Sequence, residues 1–277
     1  MRRGVFALLL LLCAAGAHAQ VREINLGSIF DAVKGVGKSQ EVAALSEADE
    51  IAIGKEIAAS TFGSYRIVRD ESLQRYLNRV GLWVALQSER PALPWRFAAV
   101  AADQINAFAV PGGTVLVTTG MLQLLANEAE LACVLGHEIG HVARKHHLDL
   151  LQKETLLQTG AKLLADNLQG GGVKGEAKKF LVGEGAEIFA RSLDRGAERD
   201  ADNDGVVLAA RAGYDPGACL IFMQRLAGLK EEAGTLAALY KTHPQAGERV
   251  GDIERALGQL GGVTPGSGAR PTLGYRK

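Results

Sequence analysis

Cysteine is scarce in this chain of 277 residues, with three in all, and charge of neither sign is in excess: Lys and Arg number 31, Asp and Glu 31. A formal charge of zero gives no global field that would draw the protein to nucleic acid or to an anionic membrane surface, so selectivity has to come from a local site. No apolar run reaches the roughly 20 residues that cross a bilayer. The sequence also has no internal repeat. What is present is apolar residue, 47% of the chain, which suits one globular domain with a well-filled core.

The first nineteen residues read as an export signal. Arg2 and Arg3 give a positive start, residues 5–13 an apolar run, and Ala17-His18-Ala19 a small-residue cleavage site, so the mature chain is expected to begin at Gln20 in an exported, periplasmic protein. Anchoring as a lipoprotein through Cys13 is disfavoured, because Leu12 stands where a small residue normally precedes a lipid-modified cysteine, and the residues around Arg2-Arg3 match a twin-arginine signal poorly. Loss of the signal leaves Cys133 and Cys219. Both sit in apolar helical stretches, where buried free thiols are expected rather than a disulfide.

Past an arm at 20–45, Ser46 opens a helix with Asp49 in the capping-box position, running to about Phe62. Apolar residues at helical spacing predict a second amphipathic helix over 71–88. Short β-rich runs at 95–101 and 114–118 flank the turn Pro111-Gly112-Gly113 and predict a small sheet. Asn127 can cap a long helix over 128–147, whose first turn carries Glu128 and Glu130 near its positive end. A helical stretch to about Leu168 meets a glycine break at 170–172, and helix resumes over about 176–212 until Gly213-Tyr214-Asp215-Pro216 stops it. The chain therefore reads as α+β and mostly helical, with one domain over 46–257 and a disordered tail over 258–277.

Chemistry concentrates in Gly136-His137-Glu138-Ile139-Gly140-His141. Two histidines one helical turn apart put both imidazoles on one face, able to grip one metal ion, here zinc. Glu138, next to His137, can reach a water at that metal without taking a ligand position. Burying two imidazoles and a carboxylate in so apolar a stretch would be costly without a metal. Catalytic zinc takes three protein ligands. Glu198 is the best third candidate, because Asp202 follows one turn later and can accept the spare ring N–H of a ligand histidine, although an ordinary solvated charge cluster with Arg195, Arg199 and Asp200 is the competing reading. His146 and His147 are placed as polar residues at the helix end, and Cys133 as a buried helix contact.

Four blocks in order resemble the M48 zinc metallopeptidases: residues 106–113 (Asn-Ala-Phe-Ala-Val-Pro-Gly-Gly), residues 127–131 running into His137-Glu138-Ile139-Gly140-His141, residues 198–202, and Thr242-His243-Pro244. The resemblance spans about 46–257. It implies a gluzincin fold with a small β-sheet beside the metal-binding helix, one Zn2+ per chain held by His137, His141 and Glu198, and peptide-bond hydrolysis with Glu138 as general base. It is strongest to periplasmic, non-membrane members that act in envelope quality control. Unfolded or misfolded polypeptides, including outer-membrane proteins, are then the expected partners, with no nucleic acid and no transmembrane segment in the mature chain. Two departures stand out: Asp200 occupies a position where glutamate is common, and the Arg191-Ser192 stretch lies further upstream than the family's serine-arginine pair.

The resemblance also implies that residues 114–118 are the edge strand on which substrate is laid as an added strand. It places His243 near the centre, as a latency device filling the open zinc position, as a donor to the oxyanion, or as a loop residue capping a helix. An envelope chaperone with a latent or structural zinc site is the rival reading. A small-molecule zinc hydrolase is a weaker one, since it would need a closed pocket.

Overall fold

The structure is a computed structural model that describes residues 46–62, 65–154, 193–229, 235–243 and 246–261. The export segment 1–19, the arm 20–45, the helix toward residue 168, the glycine break at 170–172, the 176–192 part of the long helix and the tail beyond 261 lie outside the described residues.

Helix α1 (Glu47–Phe62) starts as the sequence indicates, with Ser46 and Asp49 bonding reciprocally, Asp49 N–H to Ser46 Oγ and Ser46 N–H to Asp49 Oδ2. After the short strand β1 (Arg66–Ile67), Asp70 caps α2 (Glu71–Ala85), which buries Leu77, Val80 and Val84 against the sheet. Strands β2 (Arg96–Ala101), β3 (Ala107–Val110) and β4 (Thr114–Thr118) complete a four-stranded sheet of order β1-β2-β4-β3. Two of these strands match the β-rich runs of the sequence; β1 and β3 were not anticipated. β3 is alanine-rich, so its β propensity is low, and it is held instead by antiparallel pairing with β4 across a turn in which Gly112 and Gly113 adopt φ of 80° and 96°.

This topology corrects one expectation. β4 pairs with β2 on one side and β3 on the other, so residues 114–118 have no open edge for a substrate strand. Among the described strands the edge next to the metal-binding helix is β3.

After the short helix α3 (Thr119–Leu124), Asn127 caps α4 (Glu128–Ala143), which ends earlier than its apolar pattern indicates. Lys145 takes a φ of 62°, and helical backbone restarts over 146–154, which turns His146 and His147 back toward the protein interior. Helix α5 (Arg195–Arg211) is capped by Asp194 and packs along α4. The two helices meet through small residues. A methyl on Gly136 would lie 3.0 Å from Gly205 Cα, and one on Gly205 would lie 3.1 Å from the Cys133 carbonyl oxygen. Helices α6 (Gly217–Gly228), α7 (Ala237–Thr242) and α8 (Ala246–Gln259) close the far side.

The expected free thiols are corrected as well: Cys133 of α4 and Cys219 of α6 form a disulfide with Cα atoms 5.3 Å apart. Both residues are buried as expected, but burial in two separate apolar helices does not reveal that those helices pack at disulfide distance.

The Gly136–Gly205 contact yields a first test. Gly205→Val should force α4 and α5 apart, costing about 1–3 kcal/mol of stability and weakening zinc binding in the same variant. Thermal melts beside zinc titrations check this; a variant binding zinc as tightly as the parent would show that the close approach does not set the site.

Candidate metal centre

Three elements supply the centre. The middle of α4 places His137 and His141 one turn apart, the first turns of α5 do the same for Glu198 and Asp202, and His243 sits at the C-terminal end of α7, its N–H donating to Leu239 O. His137 Nε2 and His141 Nε2 are 3.0 Å apart. Glu198 Oε1 lies 3.4 Å from His141 Nε2 and Oε2 lies 3.8 Å from His137 Nε2. His243 Nδ1 is 3.0 Å from Glu198 Oε1. One ligand atom from each of these four buried residues falls within 4.8 Å of the others, a set able to hold a metal ion.

Each α4 histidine is held from behind. His137 Nδ1–H donates to Asp202 Oδ1 at 3.0 Å, which turns Nε2 inward as a free lone pair. His141 Nδ1 lies 2.9 Å from His146 Nδ1, one proton serving both rings. His146 therefore contributes at the back of the site, not as a ligand, and the restarted helix explains how a residue past the end of α4 gets there. His147 is buried beside His141, and burial pulls its pKa down to about 3.

Arg249, in the first turn of α8, was not singled out by the sequence reading. Its Nε and Nη2 donate to both oxygens of Asp202 at 2.8 and 2.6 Å, and its Nη1 lies 3.1 Å from Glu198 Oε2. The available signal was its six-residue spacing from His243 in the amphipathic pattern of α8, where a buried arginine is indistinguishable from a solvated one. Burial alone would raise the pKa of Asp202 and of Glu198, but Arg249 with His137 lowers the first, and His243, His141 and Arg249 lower the second. Both carboxylates are therefore anions. Burial first, and the neighbouring His137 second, keep the His141 pKa well below its ordinary value, so its ring is a neutral donor suited to a metal. His243 goes the other way: burial opposes its charge, but Glu198 and Glu138 overcome this and raise its pKa.

The predicted residues thus come together. Glu138 stays outside the four-residue set, with Oε1 3.6 Å from His243 Nε2, and its other oxygen is buried without a hydrogen-bond partner. Asn106 Oδ1, beside β3, is likewise buried and unpartnered. An orphaned carboxylate oxygen next to a convergent His-His-Glu set fits a bound metal and its water. Asp194, a fallback ligand if Glu198 failed, is spent on the α5 N-cap, and Glu187 lies outside the described residues.

A helix bearing two histidines and a glutamate between them, a carboxylate from a second helix, and a mixed sheet alongside define the zincin class of metallopeptidase, in its glutamate-ligand form. The sequence model described as peptidase family M48 matches residues 71–257, and the chain belongs to that family. Its zinc-metallopeptidase character and its zinc cofactor follow, in accord with the sequence reading. The chain is similar to the beta-barrel assembly-enhancing protease of Yersinia pestis, 30% identical over 254 residues, covering 89% of this chain and 51% of that protein. It is 26% identical over 220 residues to the protein of the same name from Escherichia coli K12 (78% and 45% covered). It is 29% identical over 183 residues to the mitochondrial metalloendopeptidase OMA1 of Schizosaccharomyces pombe (66% and 52%). The chain spans about half the length of these relatives.

Two substitutions separate the layers of this network. Arg249→Met removes the guanidinium shared by two buried carboxylates and should cost about 3–5 kcal/mol of stability in the metal-free protein. Asp202→Asn should lower zinc affinity by about 10- to 100-fold while the ion still binds. Denaturant titrations and competitive zinc titrations report the two effects; an Arg249→Met protein as stable as the parent would contradict the assigned charge balance.

Proposed function

We propose that this chain is a zinc-dependent endopeptidase that cuts unfolded or misfolded polypeptides in the bacterial envelope, with His137, His141 and Glu198 as the protein ligands, Glu138 as general base and Asp202 fixing His137. The observation that carries the reading is the buried, unpartnered oxygen of Glu138 beside a convergent donor set from which Glu138 itself is absent. Zinc held in that set would supply Lewis acidity toward a peptide carbonyl and lower the pKa of a water toward neutrality. Glu138 takes a proton from that water and hands it to the departing amine. Glu198 and the imidazoles of His137 and His141 would hold the metal, and Asp202 keeps His137 in the tautomer whose Nε2 can bind it.

The edge strand β3 serves as the platform for an extended substrate, whose main chain adds to the sheet and so reads little sequence. Asn106 supports this, since its unpartnered Oδ1 at the start of β3 is an acceptor waiting for a donor such as a substrate N–H. The Cys133–Cys219 disulfide supports export to an oxidising compartment, in keeping with the signal read over residues 1–19. The relatives named as beta-barrel assembly-enhancing proteases support an envelope role and outer-membrane proteins as substrates. We place the catalytic unit in one domain over residues 46–257.

His243 is assigned to latency. Its Nδ1 lies among the three proposed ligands, and although Glu198 and Glu138 favour the protonated ring, a metal in the set would displace that proton, leaving a neutral imidazole to fill the position that substrate and water need. His243 also C-caps α7 through its backbone N–H to Leu239 O, while its ring is buried against Glu198.

Casein cleavage that a chelator abolishes and zinc restores tests the activity against the chaperone alternative, which requires none. Glu138→Gln should keep about one zinc per chain and lose turnover; undiminished turnover would remove the general base. His243→Ala should raise turnover on unfolded substrate, whereas a loss of roughly 100-fold with zinc retained would assign the residue to the oxyanion instead.

A further inference from the structure

Away from the metal ligands, several parts of the chain meet on one buried carboxylate. Glu50 of α1 is 1% exposed, and both of its oxygens accept from Arg90, in the loop between α2 and β2: Nη1 donates to Oε1 at 2.9 Å and Nη2 to Oε2 at 3.0 Å. Glu50 Oε1 also accepts the backbone N–H of Gly112, in the turn that follows β3, at 3.2 Å. Arg90 Nη1 reaches the other way and donates to the carbonyl of Val142, the residue after His141, at 3.3 Å. Lys145, just past the end of α4, brings its Nζ to 3.8 Å from Glu50 Oε2. The Arg90 backbone is itself held, since Trp95 Nε1–H donates to its carbonyl oxygen at 2.9 Å.

Stability alone is a poor reason for such a pair, because taking both charges out of water offsets their attraction, and apolar residues of similar volume could fill the space as well. Apolar residues could not bond the Gly112 N–H and the Val142 carbonyl. Those two groups belong to the two parts that the proposed chemistry has to bring together, β3 as the substrate platform and the metal-binding helix at His141. The turn after β3 also lies directly on α1: a methyl on Gly54 would fall 1.6 Å from the Pro111 carbonyl oxygen, and one on Gly112 would fall 2.8 Å from Ile51 Cα. Glu50, on the same helix, thus holds the turn from the side on which it is already pressed, and Arg90 carries that hold across to α4.

We infer that Glu50 and Arg90 are positioning residues that fix β3, and with it the bond to be cut in an extended substrate, against the metal-binding helix. The inference rests on the peptidase reading above and deepens it. A misplacement of about 1 Å between reacting groups can cost about 100-fold in rate, even when its cause lies far from the chemistry. The proposed zinc ligands are set by the close approach of α4 and α5, to which neither Glu50 nor Arg90 belongs. Loss of the bridge should therefore spare metal binding and slow the chemical step.

The test measures zinc affinity, and kcat and KM on one unstructured peptide, for the zinc-loaded full chain and two variants, well below their melting temperatures. Glu50→Gln keeps the volume but sets an amide against the guanidinium. Arg90→Lys keeps the charge but lacks the planar fork that bonds both Glu50 oxygens. Each should lower kcat per zinc-bound chain by about 10- to 100-fold, with KM and zinc affinity unchanged because β3 and the ligands remain. A purely structural pair would lower the melting temperature and the fraction of chains that hold zinc, but not kcat per zinc-bound chain. If Glu50→Gln does not fold, Arg90→Lys decides alone. Parental kcat in either folded variant, or a loss of zinc affinity that accounts for the lost turnover, would overturn the positioning role and leave the peptidase reading intact. A zinc-loaded parent that cuts neither the peptide nor casein would instead remove the peptidase reading, and the positioning role with it.

Discussion

The close approach of α4 and α5 is the constraint on which the centre depends. Gly136 and Gly140 on one helix face Gly205 and Ala201 on the other, and side chains at these positions would push the axes apart. Only at this separation can Glu198 reach both His137 and His141 while Asp202, one turn on, reaches the rear nitrogen of His137. The small residues have no chemical role of their own, but they determine whether four polar groups converge or stand as two unrelated pairs.

Convergence creates an electrostatic problem that the fold solves with Arg249. Glu138, Glu198 and Asp202 are all buried within one neighbourhood, and desolvation alone would drive Glu198 and Asp202 toward protonation. Arg249 binds Asp202 through two nitrogens and Glu198 through a third, holding the pKa of Asp202 down and joining His243 and His141 in doing the same for Glu198. Glu138 is left out of that arrangement. Its unpartnered oxygen is thus the one acidic acceptor among these three that the protein does not satisfy internally.

How much of this was legible in the sequence follows from which features are local. His137, Glu138 and His141 lie within one turn and a half of a single helix, and the Ser46–Asp49 pair and Asn127 cap helices over a few residues, so their roles depend on short spacings that a sequence displays, whereas the equally local caps Asp70 and Asp194 were not anticipated. Glu198 was one plausible member of a charged run until the order of the four blocks singled it out. Arg249, His146 and the Cys133–Cys219 bridge were missed or misjudged because each depends on how helices pack, and packing distance leaves no mark in periodicity. The strand error has the same origin: Thr114–Thr118 has the composition of a strand, but its interior position is set by pairing with β2 on one side and β3 on the other.

His243 and Arg249 belong to one short stretch of chain, yet they are held very differently. Arg249 is fixed by buried, charge-assisted bonds to two carboxylates at the start of the 14-residue helix α8. His243 ends α7, a helix of only six residues, which has little stability of its own and depends on the packing of Leu239 and on the contact with Glu198. Displacing α8 would strip the guanidinium from Asp202 and Glu198, whereas displacing His243 gives up imidazole contacts with Glu198, His137 and Glu138 at a position that a substrate group and water can refill. The network therefore concentrates stability in Arg249, so that the histidine facing the centre can be exchanged without dismantling the site behind it.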